Sequence, residues 1–225
     1  LAGATITNVR RRAKYLLIDV NSGHILLSHL GMSGSFTVRQ HAGYEPKTHD
    51  HVIIELKNKT LMVFHDPRRF GVMDVIKNAD EATHPLLSHL GPEPLEKDFS
   101  PRYLAAQLAR RNGPIKPVLM DQQLVVGVGN IYASEALHLC GLYPSTPAHM
   151  LAPKAPEIVN AIRATLTAAI ASGGSTLRDY ARPDGQLGYF SKQWRVYGRE
   201  GQACPCGKGL VARYADGGRS TFWCA

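Results

Sequence analysis

The sequence has no long apolar run, no apolar leader and few cysteines. None of its runs approaches the ~18 consecutive apolar residues of a membrane helix, and its first twenty residues include Arg10, Arg11, Arg12 and Lys14. A secretory signal would be apolar there, so we expect a cytoplasmic protein without a membrane partner. Four cysteines in 225 residues are too few for a disulfide framework in a chain of this size. Three of them crowd the last stretch of the chain, which favours a metal site.

Acidic residues are also scarce relative to basic ones. The chain has 26 Lys and Arg against 18 Asp and Glu, a net charge of +8 at pH 7. This excess favours a polyanionic partner, with nucleic acid as the first candidate, although many proteins carry such a charge without binding nucleic acid. With 44% hydrophobic residues, the chain can bury a core and form one large domain or two modest ones.

The spacing of apolar residues divides the chain into a β-rich part and a helical part. Short apolar runs at 15–20, 24–30, 52–56 and 61–64, separated by turn residues, indicate an antiparallel β region. Two prolines and a glycine between His89 and Leu95 mark a domain boundary. Helical periodicity then predicts helices at 101–111, 117–122, 130–140 and 153–172. Short strands and cysteines after Trp194 indicate a small hairpin.

A glycine-rich turn, Gly127-Val128-Gly129, joins two of the predicted helices. Such a turn lets backbone amides at a helix N-terminus approach an anion, and Lys116 and Asn130 can add donors to the same phosphate. On spacing alone a simple tight turn stays open as an alternative. A dinucleotide-binding fingerprint is disfavoured, because Tyr132 replaces its third glycine and the turn follows a helical stretch.

The segment around this turn resembles the helix–two-turn–helix of the bacterial formamidopyrimidine/8-oxoguanine DNA glycosylase family. The similarity continues in blocks at 11–17, 29–35, 66–71, 89–95, 185–190, 196–199 and 218–224. It implies an α+β fold with an incomplete N-terminal β-sandwich (1–91), a helix–two-turn–helix domain (92–191) and a β-hairpin zinc finger (192–225). It also implies a lesion-recognition loop within 173–190.

The function implied by the resemblance is base-excision repair. Such an enzyme removes oxidised purines from double-stranded DNA and cleaves the abasic site by β,δ-elimination. It must extrude its target nucleotide, and apolar or planar side chains can fill the gap left in the duplex. The resemblance assigns this intercalation to Met32, Arg68 and Phe70, although by spacing alone Met32 and Phe70 are more typical of a core. It assigns DNA contacts to His49, Arg68, Arg111, Lys116, Asn130 and Tyr197.

Two catalytic residues are implied by the same resemblance. Lys14 matches a proton donor in β-elimination, whereas by pattern alone it is a solvated lysine at a strand edge. Arg219 matches an arginine assigned to δ-elimination. The family's nucleophile is an N-terminal proline amine that attacks C1′, but residue 1 here is Leu. We therefore expect both ends to be truncated, and the chain to bind duplex DNA without forming a borohydride-trappable complex.

The C-terminal cysteines are expected to bind one structural zinc ion. The family has two CxxC pairs whose thiolates hold the metal. Here the first pair is Cys204-Pro205-Cys206, one residue shorter, and the second is represented by Cys224, one residue before the end. The 17 residues between Cys206 and Cys224 fit the usual gap. We expect zinc binding to be weakened or absent, and we interpret Cys140 as a buried structural thiol.

Several alternatives stay open at this stage. His49 and His51 resemble a metal pair on one strand face, although no third ligand has a suggestive spacing. An enzyme for oxidised pyrimidines, a non-catalytic DNA-binding protein and a zinc-ribbon module compete with the main interpretation. The segments around Met32 and Arg68 favour purine lesions, and a zinc ribbon does not explain the helical segment. We expect a monomer associated with the bacterial nucleoid.

Overall fold

The computed structural model describes residues 1–174 and 189–225. They form two compact units, one of residues 1–87 and 172–191 and the other of residues 88–171 and 192–225. The predicted α+β architecture is confirmed, since strands dominate the first unit and helices most of the second. Most of the predicted lesion-recognition loop, residues 175–188, lies outside the described residues. No described helix is long and apolar enough to cross a membrane.

Residues 1–87 form seven antiparallel strands in two sheets. The strands are Ile6–Arg12 (β1), Tyr15–Val20 (β2), His24–His29 (β3), Ser35–Gln40 (β4), Asp50–Glu55 (β5), Thr60–His65 (β6) and Val72–Lys77 (β7). One sheet has the order β1-β2-β3-β7 and the other β4-β6-β5. The apolar runs predicted β2, β3, β5 and β6. They missed β1, β4 and β7, which are edge strands whose side chains are mostly exposed or half-buried and which therefore lack a clear apolar alternation.

The core of the first sheet comes from its two central strands. Leu17 and Leu27 face each other across β2 and β3, and both are fully buried together with Ile25. This packing holds the ends of β2 and β3 in register, so that Tyr15 pairs with His29 at one end of the sheet. The loop after His29 contains one group of the predicted site residues.

The second unit contains four α-helices and a hairpin in its described residues. The elements are Pro101–Leu108 (α1), Ile115–Met120 (α2), Asn130–Leu139 (α3), Ala155–Ala171 (α4), Val211–Asp216 (β8) and Arg219–Cys224 (β9). All four predicted helices are confirmed with shifted bounds. Helix α2 starts two residues before Pro117, because proline is tolerated in the first turn of a helix. Helix α4 starts after a 3-10 turn that contains Pro153.

Helices α1 to α4 share one apolar core. Phe99, Leu104, Leu119, Leu137 and Ile162 are among its almost fully buried side chains. A smaller cluster of Val196, Cys204, Val211 and Phe222 lies in and beside the hairpin. The predicted division into domains 1–91, 92–191 and 192–225 stays a prediction.

Candidate nucleic-acid interface and metal centre

Five side chains and backbone groups meet where helix α3 begins. Lys116 Nζ lies 2.6 Å from Asn130 Oδ1, 2.7 Å from Thr221 Oγ1 and 3.3 Å from the Ser220 carbonyl oxygen. The Asn130 amide donates to the Tyr197 hydroxyl at 3.2 Å and to the Ser220 carbonyl at 3.0 Å. The structure therefore brings Tyr197 to Lys116 and Asn130, the pair that the sequence analysis expected to contact the same phosphate. It adds Ser220 and Thr221 from β9, which had no predicted role.

The backbone before α3 explains why this cluster lies at a helix start. Gly127 has a φ of +80°, a left-handed conformation that glycine adopts without steric cost. Gly129 is the N-cap residue, and Asn130 is the first residue of the helix. The first backbone N–H groups of a helix have no partner within the helix, and they carry a partial positive charge. The start of α3 is thus suited to an anion.

Lys116 is buried, and its environment alters its acid–base behaviour. Burial lowers the pKa of Lys116 to about 8, the charge of Asp216 raises it, and the charge of Arg219 lowers it further. The ammonium therefore titrates close to neutral pH, and a nearby anion would favour its charged form.

A second buried charge, Glu135, positions Tyr197. The Glu135 carboxylate accepts hydrogen bonds from the backbone N–H groups of Arg195, Val196 and Tyr197 at 2.8, 3.0 and 2.9 Å. This fixes the segment before the hairpin against α3. The sequence analysis assigned Glu135 no role, although an acidic residue among the apolar side chains of a helix is a usable signal.

Arg111 and Arg219 lie outside this network. The Arg111 guanidinium pairs with Asp121 at 3.2 Å and donates to the Gln107 side chain at 2.8 Å. Arg219 is exposed at the start of β9, opposite Asp216 in the hairpin register. The Arg111 guanidinium is thus half-buried in an ion pair, whereas Arg219 is exposed on the hairpin.

In the first unit, two neighbouring loops carry the predicted intercalating residues. Met32 and Phe70 are 62% and 56% exposed, which contradicts their interpretation as core residues. The Arg68 guanidinium carbon lies 5.0 Å from the centre of the Phe70 ring. Gly31 has a φ of +65°, and a Cβ there would lie 2.6 Å from the Phe70 carbonyl carbon. The two loops thus approach closely at Gly31.

Buried Asp66 links these loops. Its carboxylate accepts hydrogen bonds from Ser33 Oγ and the Gly71 backbone N–H, both at 2.7 Å, and Ser33 Oγ in turn accepts one from the Arg68 N–H at 3.2 Å. Burial raises the pKa of Asp66, but the hydrogen bonds from Ser33, Gly71 and Arg68 outweigh it and leave the pKa below its usual value. Sequence reasoning noted the block containing Asp66 without assigning this role.

Lys14 and His49 lie near this region of the same unit. Lys14 is exposed in the turn between β1 and β2. The pKa of His29 is lowered, mainly by burial of its ring and also by the positive charge of Lys14.

The ring of His49 lies 5.8 Å from that of His65 and 6.3 Å from that of His51. His49 lies just before strand β5, which begins at Asp50, so His49 and His51 are not two residues on one face of the same strand. The described residues contain a group of side chains whose spacing suits a metal ion, and it includes neither of these histidines.

That group consists of His138, Cys204 and Cys206, whose ligand atoms all lie within 4.8 Å of one another. Cys204 Sγ lies 3.1 Å from His138 Nε2 and 3.2 Å from Cys206 Sγ, and Cys206 Sγ lies 3.4 Å from Cys224 Sγ. Thiolates and imidazoles are the donors that suit zinc. The structure therefore brings the three predicted cysteines together and adds His138, which the sequence analysis did not consider.

Cys140 lies outside this group. It is half-buried rather than buried, and its thiol donates to the Glu157 carbonyl at 3.4 Å. Burial raises the pKa of Cys140 to about 11, and the charge of Glu157 adds to the shift.

Comparison with known proteins shows the family. The formamidopyrimidine-DNA glycosylase N-terminal domain matches residues 1–73, and the formamidopyrimidine-DNA glycosylase H2TH domain matches residues 90–181. The formamidopyrimidine-DNA glycosylase of Rhizorhabdus wittichii is 49% identical over 225 residues, which cover 100% of this chain and 82% of the relative. The chain belongs to the formamidopyrimidine-DNA glycosylase family. The resemblance inferred from the sequence blocks is confirmed.

Solved structures of glycosylases in this family share the fold. The MutM (Fpg) protein from Thermus thermophilus is 42% identical, with a TM-score of 0.89 over 99% of this chain and 82% of that chain. A complex of Lactococcus lactis Fpg with DNA containing an abasic site is 30% identical, with a TM-score of 0.90 over 99% and 81%. The glycosylase fold with its H2TH region and C-terminal hairpin is thus confirmed.

Proposed function

We propose that this protein is a base-excision repair glycosylase and abasic-site lyase that acts on oxidised purines, including 8-oxoguanine and formamidopyrimidines, in duplex DNA. The observation that carries the proposal is the cluster of Lys116, Asn130 and Tyr197 at the start of α3, in a chain of this family. The Lactococcus lactis relative binds DNA with an abasic site, which supports the same partner here. We further propose a monomer in the bacterial cytoplasm, associated with the nucleoid.

Phosphate binding by this cluster follows from its donors. Lys116 supplies an ammonium, Asn130 an amide and Tyr197 a hydroxyl, and the first turn of α3 adds backbone N–H groups. Donors of this kind position a protein on the DNA backbone without reading its sequence. We assign further backbone contacts to His49 and Arg111.

The two linked loops of the first unit are proposed to fill the duplex where a nucleotide has been extruded. Met32 and Phe70 present exposed apolar surface, and Arg68 lies against the Phe70 ring. An apolar wedge can separate base pairs while a guanidinium satisfies the orphaned base. Lys14 is the proposed proton donor in β-elimination and Arg219 the proposed residue of δ-elimination. Both are exposed cations, as contact with a sugar–phosphate requires.

We propose that Cys204, Cys206 and Cys224 hold one zinc ion. Cys206 Sγ lies 3.2 Å from Cys204 Sγ and 3.4 Å from Cys224 Sγ. A bound zinc would supply a structural crosslink, with no part in the chemistry at the lesion. The thiolates would thereby hold the segment before β8 against the end of β9.

A DNA-binding titration tests the proposal. Fluorescence anisotropy would compare a duplex containing a tetrahydrofuran abasic-site analogue with the matched undamaged duplex. We expect the damaged duplex to bind at least about tenfold more tightly. Asn130→Ala should weaken binding to both duplexes about 10- to 100-fold, because a hydrogen bond to a charged phosphate is lost. The exposed Asn160→Ala is the matched control. Equal affinity for the two duplexes would contradict the proposal.

Excision requires a separate experiment. Reading the coding sequence upstream of Leu1 distinguishes an enzyme from a DNA-binding protein, since an in-frame Met-Pro-Glu opening predicts the nucleophile and a stop codon does not. The protein made from the complete reading frame should release 8-oxoguanine and form a covalent complex with borohydride. Preferential release of oxidised pyrimidines from a lesion panel would favour the sister enzyme class.

A further inference from the structure

A histidine at the end of β6 is hydrogen-bonded to a buried carboxylate. His65 Nδ1 lies 2.8 Å from Asp50 Oδ1, and only 4% of the Asp50 side chain is exposed. The other Asp50 oxygen accepts hydrogen bonds from the Tyr44 hydroxyl and the Lys47 backbone N–H. Burial raises the pKa of Asp50, but these three hydrogen bonds outweigh it and leave the pKa below its usual value. Asp50 is therefore an ionised acceptor, and His65 Nδ1 carries a proton.

This contact determines which nitrogen of the His65 ring is left for another partner. With the proton on Nδ1, a neutral ring has an Nε2 that only accepts hydrogen bonds, whereas a protonated ring has an N–H there. The ionised Asp50 carboxylate suits the protonated ring, because the two charges are opposite. The side chain of His65 is 32% exposed, so the ring is accessible from solvent. A protonated His65 can thus donate to an anion through Nε2.

A second imidazole adjoins this ring. The His49 ring lies 5.8 Å from that of His65, in an edge-to-face arrangement, and His49 is a residue to which we assign a contact with the DNA backbone. Charged hydrogen bonds to phosphate are about 2.7–2.9 Å long, so two rings at this separation can each bind a different oxygen of one phosphate. Ser35, which pairs with His65 from β4, is uncharged. Titratable side chains on the elements that adjoin His65 are Asp50 and His51 on β5, Tyr44, Lys47 and His49 before it, Arg39 on β4 and Asp66 after β6.

The same region is bonded to the residue that holds the two loops proposed to enter the duplex. The Asp66 backbone N–H donates to the His49 carbonyl at 3.0 Å, and His51 Nε2 donates to the Asp66 carbonyl at 2.9 Å. The Asp66 carboxylate in turn links the two loops. Phosphates follow both strands of a duplex at short intervals. A duplex that receives these loops therefore brings phosphates close to His49 and His65.

We propose that protonated His65 binds a DNA phosphate through Nε2, next to His49. This inference rests on the proposed function, because the bound duplex is its ligand. Asp50 is the positioning residue, which holds the ring by Nδ1 and leaves Nε2 for the phosphate. Because histidine changes its charge between pH 5 and 8, the contact forms toward the acidic end of this range and is lost toward its basic end.

His65→Asn tests the contact. The asparagine NH2 group lies at the position of Nδ1 and keeps a donor for Asp50, but the side chain has no atom at the position of Nε2. Anisotropy titrations with the tetrahydrofuran duplex would compare the variant with the wild type at pH 6 and pH 8. We expect an affinity about tenfold lower at pH 6 and within about twofold at pH 8. At pH 6 the slope of the salt dependence should also become less negative by up to about one.

His41→Asn is the matched control. His41 is an exposed histidine of the same unit, and its ring lies 3.8 Å from Glu55. This change should leave the affinity and the salt slope unchanged at both pH values. Since each variant is compared with the wild type at the same pH, the titration of Lys116 affects both proteins equally. Urea denaturation would show that each variant is folded.

Nuclear magnetic resonance of the wild type provides a measurement that needs no variant to fold. The ring proton of His65 would be followed as pH changes, with and without the duplex. A tenfold preference of the phosphate for the charged ring raises the titration midpoint by about one pH unit on binding. The midpoint of His41 should stay the same. An unchanged midpoint for His65 would overturn the inference.

The remaining outcomes separate this inference from the proposed function. An equal loss of affinity at pH 6 and pH 8 in His65→Asn indicates a structural role for His65 and would overturn the inference, as would an unchanged salt slope at pH 6. A wild type that prefers the damaged duplex, together with a His65→Asn variant of equal affinity at pH 6, would leave the proposed function standing. Equal affinity of the wild type for damaged and undamaged duplexes contradicts the proposed function. A loss confined to pH 6 on both duplexes would still support the phosphate contact.

Discussion

At the scale of single residues, buried polar groups position the exposed ones. Asp66 holds the loops that carry Met32 and Phe70, and Glu135 holds the backbone of Tyr197. Lys116 positions other residues and is also a proposed DNA contact. Its buried ammonium donates hydrogen bonds to Asn130 and Thr221, and we propose that it binds a phosphate. Each of these groups is hydrogen-bonded, as burial of a charge requires.

The lowered pKa of Lys116, about 8, predicts a pH-dependent affinity for DNA. Above pH 8 the free protein carries a neutral Lys116, and a phosphate favours the charged form, so that binding takes up a proton. Affinity should therefore fall as pH rises above 8, approaching tenfold per pH unit. Anisotropy titrations at pH 7, 8 and 9 would measure this. Lys116→Arg should lack the dependence, because a guanidinium stays charged.

The same shift has a consequence for the DNA-free protein. The unfolded chain holds the lysine proton up to a pKa of about 10.4, whereas the folded chain releases it near 8. The contribution of Lys116 to the free energy of unfolding should therefore rise between pH 8 and about 10. An equal pH profile of DNA affinity in the wild type and Lys116→Arg would contradict the assignment of Lys116 to a phosphate.

Asp66→Asn tests the link between the two loops. The amide oxygen can accept from the Gly71 N–H and the NH2 group can donate to the Ser33 hydroxyl, but hydrogen bonds of a neutral amide are weaker than those of a carboxylate. We expect a loss of about 1–3 kcal/mol in the free energy of unfolding, measured by urea denaturation. Asp80→Asn, an exposed position in the same unit, should change stability little. Similar effects of both changes would argue against the link.

At the scale of elements, α3 and the loops around Asp66 have complementary tasks. Helix α3 contributes Asn130, Glu135 and His138 to three separate attachments within the second unit. The loops around Asp66 belong to no helix or strand, and Asp66 and the close approach at Gly31 hold them in place. A helix presents residues at fixed intervals, whereas a loop needs such specific contacts to hold one conformation.

Gly31→Ala is expected to disturb the Phe70 loop. Its Cβ would lie 2.6 Å from the Phe70 carbonyl carbon, and its φ of +65° is unfavourable for alanine. Gly43→Ala is a matched control, since its φ is +74° but nothing lies within 4 Å of the added Cβ. Left-handed strain costs about 1–2 kcal/mol at either site, so any additional loss of stability at Gly31 reports the clash.

Abasic-site discrimination provides a second measurement for this pair. Gly31→Ala should reduce the preference for the tetrahydrofuran duplex, because the wedge residues are displaced, while Gly43→Ala keeps it. If both variants lose the same stability and the same preference, the close approach at Gly31 does not position the wedge.

At the scale of the whole molecule, the net charge of +8 and the proposed phosphate contacts predict salt-sensitive binding. The logarithm of the association constant should fall linearly with the logarithm of salt concentration, with a slope of about −0.9 per neutralised phosphate. Arg111→Ala should make the slope less negative by about one. Lys154→Ala, which removes a lysine paired with Glu157, should leave it unchanged. A salt-independent affinity would contradict electrostatic binding.

Sequence by itself determined the class of this protein. Three features were local patterns: the glycine turn before Asn130, the apolar runs of β2 and β3, and the helical periodicity of the second unit. Local patterns of this kind are enough to predict secondary-structure elements and the family. The edge strands β1, β4 and β7 were not predicted, because their exposed and half-buried side chains leave no apolar period. The cysteine spacing indicated a metal site in the same local way.

Only the tertiary structure decided which residues meet. Lys116 reaches Thr221 across 105 positions, Glu135 reaches Val196 across 61, and His138 reaches Cys204 across 66. No periodicity relates residues so far apart, because their contact depends on how α2 and α3 pack against the hairpin. Burial of a side chain also depends on residues that are distant in the sequence. The exposure of Met32 and Phe70 and the lowered pKa of Lys116 therefore follow from tertiary packing. The sequence supplied the chemical groups, and the fold selected their partners.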